Sequence, residues 1–316
     1  MKEIQPLKSS STLDAIGKTP IVQLQKIVPK GSAEILVKLE YFNPTGSYKD
    51  RMALAMIETA EERGDLQPGM TVVEYTGGST GSSLAFVCAV KGYRFKVVSS
   101  DAFAREKLQT MKVFGAELFI VPSEGGQVTP DLVPRMMEKA RSLAESDDCY
   151  FTNQLHNSDS IVGYSKIGRE LLQQVDQHID AFCGGVGTAG MLMGVSQELR
   201  HAYPEVRIIA LEPATTAVIS GGSAGSHHVD GIGIGFVPPL LDGKLYDEAR
   251  GIDEKEARQM ARILAKEEGI FAGTSSGLNV VGALQLAEEL GEGKTVVTVA
   301  VDTGLKYLAD DLFAHD

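Results

Sequence analysis

Three observations predict an α/β fold built on mainly parallel sheets with helices on both faces. Short β-branched runs alternate with amphipathic helical stretches along the chain. The lengths of these segments suit right-handed βαβ units, and glycine-rich turns stand where strands give way to helices. At 316 residues the chain is long enough for two core-forming lobes.

Glu34–Glu40 opens the series as a strand, carried by Ile35, Leu36, Val37 and Leu39. Pro44 and Gly46 mark a turn, and Met52-Ala53-Leu54-Ala55-Met56-Ile57 then reads as a helix. Next come the β-branched run Thr71–Tyr75, a helical pattern over Ser79–Lys91 and a strand at Phe95–Ser100. Apolar residues at helical spacing predict a helix over Arg105–Phe114, followed by a strand at Glu117–Val121 and a helix over Pro130–Ser146. The polar stretch Glu145-Ser146-Asp147-Asp148 is the candidate join between lobes. In the second half, strands are expected at Ile179–Cys183, Val206–Leu211 and Thr295–Val301. Helices are expected at Ser158–Val175, Thr188–His201, Glu254–Glu268 and Leu278–Leu290. No tandem repeat or low-complexity segment interrupts the pattern.

Hydrophobic residues make up 43% of the chain and charged residues 23%, values ordinary for a globular protein. The formal net charge of −12 argues against nucleic acid or an anionic membrane as partner. Met1-Lys2-Glu3-Ile4-Gln5-Pro6 lacks the apolar core of a signal peptide, and no apolar run is long enough to span a bilayer. Cys88, Cys149 and Cys183 are too few and too scattered for a disulfide framework or a metal knuckle. The six histidines lack ligand spacing, so the expectation is a cytoplasmic protein without a metal.

Chemistry concentrates at four places. In Asn43-Pro44-Thr45-Gly46-Ser47-Tyr48-Lys49-Asp50-Arg51, Ser47 stands where an N-cap belongs and Asp50 where a capping box needs its acid. That puts Lys49 in the first helical turn, where the helix dipole disfavours an ammonium and burial would lower its pKa further. Such a lysine is suited to forming a Schiff base; a surface lysine near a helix start is the plain alternative.

Gly184-Gly185-Val186-Gly187-Thr188-Ala189-Gly190-Met191 follows a strand and opens a helix, a geometry that holds an anion, most naturally a phosphate. Gly185 to Gly190 also satisfies the Gly-x-Gly-x-x-Gly dinucleotide fingerprint, with Glu212 near the place of a ribose-binding acid. On this half of the chain a nicotinamide enzyme is an equal reading, but it leaves Lys49 unexplained. Thr76-Gly77-Gly78-Ser79-Thr80-Gly81 is a third such turn, whose backbone donors and hydroxyls suit a carboxylate. Gly273-Thr274-Ser275-Ser276-Gly277 is the fourth; alone, it reads as a helix N-cap by Ser275 or Ser276.

Residue for residue, Asn43–Arg51 resembles the cofactor-lysine motif Asn-Pro-x-x-Ser-x-Lys-Asp-Arg of fold-type II pyridoxal 5′-phosphate (PLP) enzymes. The chain is most similar to the cysteine synthase (O-acetylserine sulfhydrylase) family and its cystathionine β-synthase relatives. The resemblance runs through five motifs in family order, Gly231–Phe236 and Asp302-Thr303-Gly304 among the matching elements. It implies the two-lobed, tryptophan synthase β-like fold with the cofactor in the cleft. Residues 42–150 would form the smaller lobe, bearing the lysine and the substrate loop. Residues 1–41 and 151–316 would form the larger lobe, bearing the phosphate loop and the pyridine-nitrogen serine.

By the same resemblance Lys49 holds PLP and is the catalytic base, and Gly187, Thr188, Ala189, Gly190 and Met191 take its phosphate. Ser275 faces its pyridine nitrogen, where a hydroxyl, unlike a carboxylate, does not force protonation of the ring. Ser79 stands where the family has an asparagine facing the 3′-oxygen. Thr76, Gly77, Gly78, Ser79, Thr80 and Gln154 bind the substrate carboxylate. The chain departs from the family at Ser79, at Met191, where a hydroxyl is usual, and at Leu155, where an aromatic residue is usual. The implied activity is β-replacement, making L-cysteine from O-acetyl-L-serine and sulfide through an aminoacrylate, in a homodimer. O-Phosphoserine chemistry, a cystathionine synthase and a serine/threonine dehydratase are the near alternatives; a nicotinamide oxidoreductase and a silent PLP-binding module are the distant ones.

Overall fold

The computed structural model describes residues 9–126, 129 and 131–314. The hexapeptide 1–6 and the expected helix start at Pro130 lie outside them. Among the described residues ten strands form two sheets. The larger has strands β1 (Ile21–Gln23), β2 (Glu34–Leu39), β7 (Ala181–Gly185), β8 (Arg207–Pro213), β9 (Glu248–Ile252) and β10 (Thr295–Ala300). Its order is β1-β2-β10-β7-β8-β9, with only β1 antiparallel. The smaller sheet is all parallel, in the order β5-β4-β3-β6, from β3 (Thr71–Tyr75), β4 (Arg94–Ser100), β5 (Glu117–Val121) and β6 (Cys149–Phe151).

Eight α-helices among the described residues flank them: α1 (Lys49–Arg63), α2 (Ser79–Lys91), α3 (Arg105–Val113), α4 (Leu132–Leu143), α5 (Asp159–Gln174), α6 (Gly190–Ala202), α7 (Glu254–Ile263) and α8 (Thr274–Leu290). A one-turn π segment, Leu264–Glu268, extends α7 until Gly269 ends it at φ 70°. The α/β expectation of two mainly parallel sheets flanked by helices is met.

Three short strands carried no signal in the sequence. β1 and β6 have three residues each and pair on one side only, while β9 is an edge strand rich in charge. Arg207 and Arg250 both donate to the carboxylate of Glu248 in β9, at 2.8 and 2.6 Å. Edge strands need few apolar residues, so an alternation rule passes over them.

The central strands β3 and β10 are buried along their whole length, as strands covered on both faces are. One apolar cluster joins Met52, Met56 and Ile57 of α1 to Leu84 of α2, Tyr164 of α5 and Leu192 of α6, so the two sheets share a core. Helix α8 begins four residues earlier than its apolar pattern, and in that first stretch Gly277 lies against the Ala257 carbonyl of α7, where a side chain would collide. The loops after β3, β7 and β10 all leave the carboxyl ends of parallel strands, the edge at which open α/β sheets bind ligands.

Candidate active site

Lys49 is the first residue of α1 and only 7% exposed. The capping box expected for that helix does not form. Ser47 is held extended by a β-bridge to Asp302, and Tyr48 donates its amide to the Val301 carbonyl at 3.1 Å. The helix therefore starts two residues after Ser47, and the buried Asp50 carboxylate instead accepts from the amide and hydroxyl of Thr45 at 2.8 and 2.5 Å. The consequence for Lys49 survives this correction. Burial pulls its ammonium pKa down to about 8, against the opposing pull of the buried Asp302 carboxylate. Its Nζ lies 5.0 Å from the centre of the Tyr48 ring, which packs on Tyr164 with centroids 5.1 Å apart.

Behind the lysine is a buried ion network. Arg51 donates to both oxygens of Glu40, each at 2.7 Å, and to both oxygens of Glu170 at 2.7 and 2.8 Å. Lys38 donates to Glu170 at 2.7 Å. Burial would raise the Glu170 carboxyl, but the hydrogen bonds and charge of Arg51 outweigh it and hold the pKa near 2. This network ties the first turn of α1 to the end of β2 and to α5, so the base of the Lys49 side chain is fixed on three elements.

Lys49 shares a pocket with Tyr48, Tyr164, Gly185 and the loop Gly187–Leu192. The amides of Gly187 through Leu192 have no acceptor among the described residues, so a run of donors stands at the positive end of α6. Ala189 makes this possible by taking a left-handed conformation, φ 70°, rare for a residue with a side chain. Gly187 lies against the Gly231 carbonyl, where any side chain would collide, and Gly233 donates its amide to Val186 at 3.0 Å. Met191 turns away from a donor role: its methyl group packs on Gly184 of β7. The loop thus presents backbone donors that suit an anion, without a side-chain hydroxyl at position 191.

The dinucleotide reading fails on Glu212. That carboxylate is 1% exposed and accepts from the amides of Ile219 and Ser220 at 2.9 and 2.8 Å and from the Ser220 hydroxyl at 2.8 Å. It organises the segment after β8, and both oxygens are occupied.

The turn Thr76–Thr80 joins β3 to α2. The Thr76 hydroxyl accepts from the Gly78 amide at 3.2 Å, while the amides of Gly77, Ser79 and Thr80 have no acceptor among the described residues. The Phe103 ring lies on Gly77 and excludes a side chain there. Thr80 donates to the amide oxygen of Gln154 at 2.8 Å, so these two expected neighbours meet across the small sheet. Glu74, fully buried beneath them, accepts from the Gln154 amide at 3.0 Å and the Thr152 hydroxyl at 2.7 Å; burial pushes its carboxyl up to about 7.

Ser275 lies in the first turn of α8, 2% exposed, with no hydrogen-bond partner for its hydroxyl among the described residues. Neither serine caps the helix. Gly273 occupies the N-cap position, and the Ser276 hydroxyl accepts from the Val301 amide at 2.9 Å.

The sequence reading missed several charged residues at this mouth. Lys107, from α3, is 6% exposed, pairs with Asp230 and lies 4.9 Å over the Tyr307 ring. Tyr307 donates to Asp302 at 2.8 Å, and the other Asp302 oxygen is buried without a partner. Lys306 donates to the Ser79 hydroxyl at 3.2 Å. No local pattern marks Lys107, Asp230, Lys306 or Tyr307, which come from α3, the loop after β8 and the segment after β10.

A buried amine with a lowered pKa, a backbone anion loop in the same pocket and a free hydroxyl on α8 form a donor set that fits PLP. The model of the family described as "Pyridoxal-phosphate dependent enzyme" matches residues 12–302. This chain belongs to that family. A cysteine synthase of Staphylococcus aureus (strain Mu50 / ATCC 700699) is 44% identical over 303 residues, covering 95% of this chain and 96% of its own. The crystal structure of a cysteine synthase from Entamoeba histolytica superposes with a TM-score of 0.91 at 34% identity, covering 100% of this chain and 94% of that one. The crystal structure of O-ureido-L-serine synthase superposes at 0.89 with 39% identity, over 98% and 96% of the two chains. The protein is thus a PLP-dependent enzyme of the cysteine synthase group, with the fold-type II architecture of its relatives.

Proposed function

We propose that this PLP-dependent enzyme makes L-cysteine from O-acetyl-L-serine and sulfide by β-replacement. The observation that carries the reading is Lys49, a buried amine with a pKa near 8, in one pocket with the donor loop Gly187–Leu192. Lys49 holds the cofactor, the loop 187–191 takes its phosphate, and Ser275 faces its ring nitrogen. When bound, PLP supplies the electron sink that acidifies the α-carbon of the substrate.

The chain's own groups then have defined tasks. The free amides of Gly77, Ser79 and Thr80, with Gln154, hold the substrate carboxylate and turn the Cα–H bond toward Lys49. Lys49 takes the α-proton, and acetate leaves the β-carbon with its bonding electrons. Hydrosulfide adds to that carbon, and Lys49 returns the proton to the α-carbon. Residues 42–150 serve as the smaller lobe with the lysine and substrate loop, and 1–41 with 151–316 as the larger one, in a homodimer.

O-Acetyl-L-serine alone should change the visible absorption of the purified holoenzyme, and sulfide should restore it as cysteine forms. A PLP-loaded protein showing neither change nor cysteine would exclude this substrate. The same experiment would then be repeated with O-phosphoserine, serine plus homocysteine, and cysteine. The alternative of another serine derivative is kept because O-ureido-L-serine synthase is among the similar structures.

Ser275→Ala should lower turnover about two- to tenfold with the cofactor retained, since one neutral hydrogen bond is worth about 0.5–1.5 kcal/mol. Ser275→Asp should lower it further, because a carboxylate would protonate the ring nitrogen. Wild-type turnover in both variants would remove Ser275 from this role.

A further inference from the structure

The hydroxyl of Ser79 has one partner among the described residues, the ammonium of Lys306, 227 positions away in sequence. An ammonium only donates, so Ser79 accepts from it and its own proton stays free for another acceptor. Lys306 has no carboxylate within ion-pair distance among the described residues, unlike Lys107 beside it, which pairs with Asp230. Its stem crosses Gly46, three residues before Lys49. One helical turn after Ser79, the Ser83 hydroxyl meets Thr45 at 3.3 Å, so this face of α2 lies on the start of α1. The free donors here are the Ser79 hydroxyl, the remaining Lys306 N–H groups and the amides of Ser79 and Thr80. A set made only of donors fits an acceptor that carries negative charge.

We propose that Lys306 is a positioning residue that holds and polarises Ser79, completing with it a donor set for an oxyanion beside Lys49. Two oxyanions have this chemistry at that place: the phenolate oxygen of PLP, which neighbours the carbon joined to Lys49, and the carboxylate of the amino-acid substrate. Ser79 lacks the reach of a side-chain amide, and the pair compensates by adding a positive charge behind a short hydroxyl. The inference rests on the placement of Ser79 in the substrate loop of the proposed enzyme. The charges facing Lys306 are Asp302, Asp50 and Lys107, and burial draws its pKa below the usual lysine value.

The test uses Lys306→Met, Lys306→Arg, Ser79→Ala and the Met/Ala double variant in the full-length protein. The first arm measures PLP uptake by the apo-protein and titrates the bound cofactor's visible band with pH, without substrate. The second titrates the holoenzyme's spectrum with O-acetyl-L-serine. If the phenolate is the partner, Lys306→Met should weaken PLP uptake about tenfold or more and move the band's titration, since hydrogen bonds to charged groups are worth about 1.5–3 kcal/mol. If the carboxylate is the partner, uptake should hold and saturation should need about tenfold more substrate. In either case Lys306→Arg should restore much of the loss, and Lys306→Met should add little once Ser79 is Ala. The proposal is overturned if neither arm responds, or if the loss is equally large in the Ser79→Ala background. A wild-type protein that takes up PLP on a lysine other than Lys49 would instead overturn the parent reading.

Discussion

Lys49→Met should give a folded apo-protein that gains stability at neutral pH and loses the cofactor's visible band and all turnover. Among the described residues, only Lys49 offers an amine inside the pocket with Gly187–Leu192, so no other lysine should take its place. The gain in stability follows from its displaced pKa, about 8 in the folded chain against 10.5 for a free lysine. The unfolded chain binds this proton more tightly, so the penalty is fully present below pH 8. It is relieved as pH rises from 8 to 10.5, and amounts to about 3 kcal/mol. Urea denaturation of the wild-type apo-protein should therefore show rising stability across that window, and the methionine variant should lack the rise. The same shift predicts that wild-type apo-protein takes up PLP faster as pH passes about 8, where the neutral amine becomes abundant. Peptide mapping after borohydride reduction provides the direct check. A pyridoxyl group found on another lysine would refute the assignment.

Arg51→Met should destabilise the fold by about 3–5 kcal/mol, the cost of leaving buried charge without its partner. Glu40 is fully buried and Arg51 is its cation; Glu170 would keep Lys38 but lose two hydrogen bonds. The sign of the pH dependence is fixed by Glu170, whose folded pKa near 2 lies below its free value of 4.5. That contribution is present above pH 4.5 and disappears as pH falls toward 2, so the difference between wild type and variant should shrink on acidification. Because the network anchors the first turn of α1, cofactor uptake should weaken as well. Equal urea midpoints for the two proteins at pH 7 would show that the network adds nothing to stability.

The helices and long strands were legible because their residues repeat with a local period. Thr71–Tyr75, Ser79–Lys91 and Glu117–Val121 coincide with their expected bounds. The glycine turns were legible for a related reason: backbone that must approach a ligand or a neighbouring chain tolerates no side chain, as at Gly77 and Gly187. Lys49 stood out through its place at a helix start, although the cap invoked to explain that place was wrong. Ser47 carries the right residue type, but its bridge to Asp302 claims the backbone first.

By itself, then, the sequence determined which segments are helical or extended, where the anion-binding turns lie and which lysine is set apart. Each of these follows from interactions within a few residues along the chain. Only the tertiary structure decided that Lys306 meets Ser79, that Asp302 faces Lys49, that Glu212 is fully occupied, and that Arg51 is clamped between Glu40 and Glu170. Charge pairing of this kind depends on distance in space and on burial, and neither leaves a periodic trace in the order of residues.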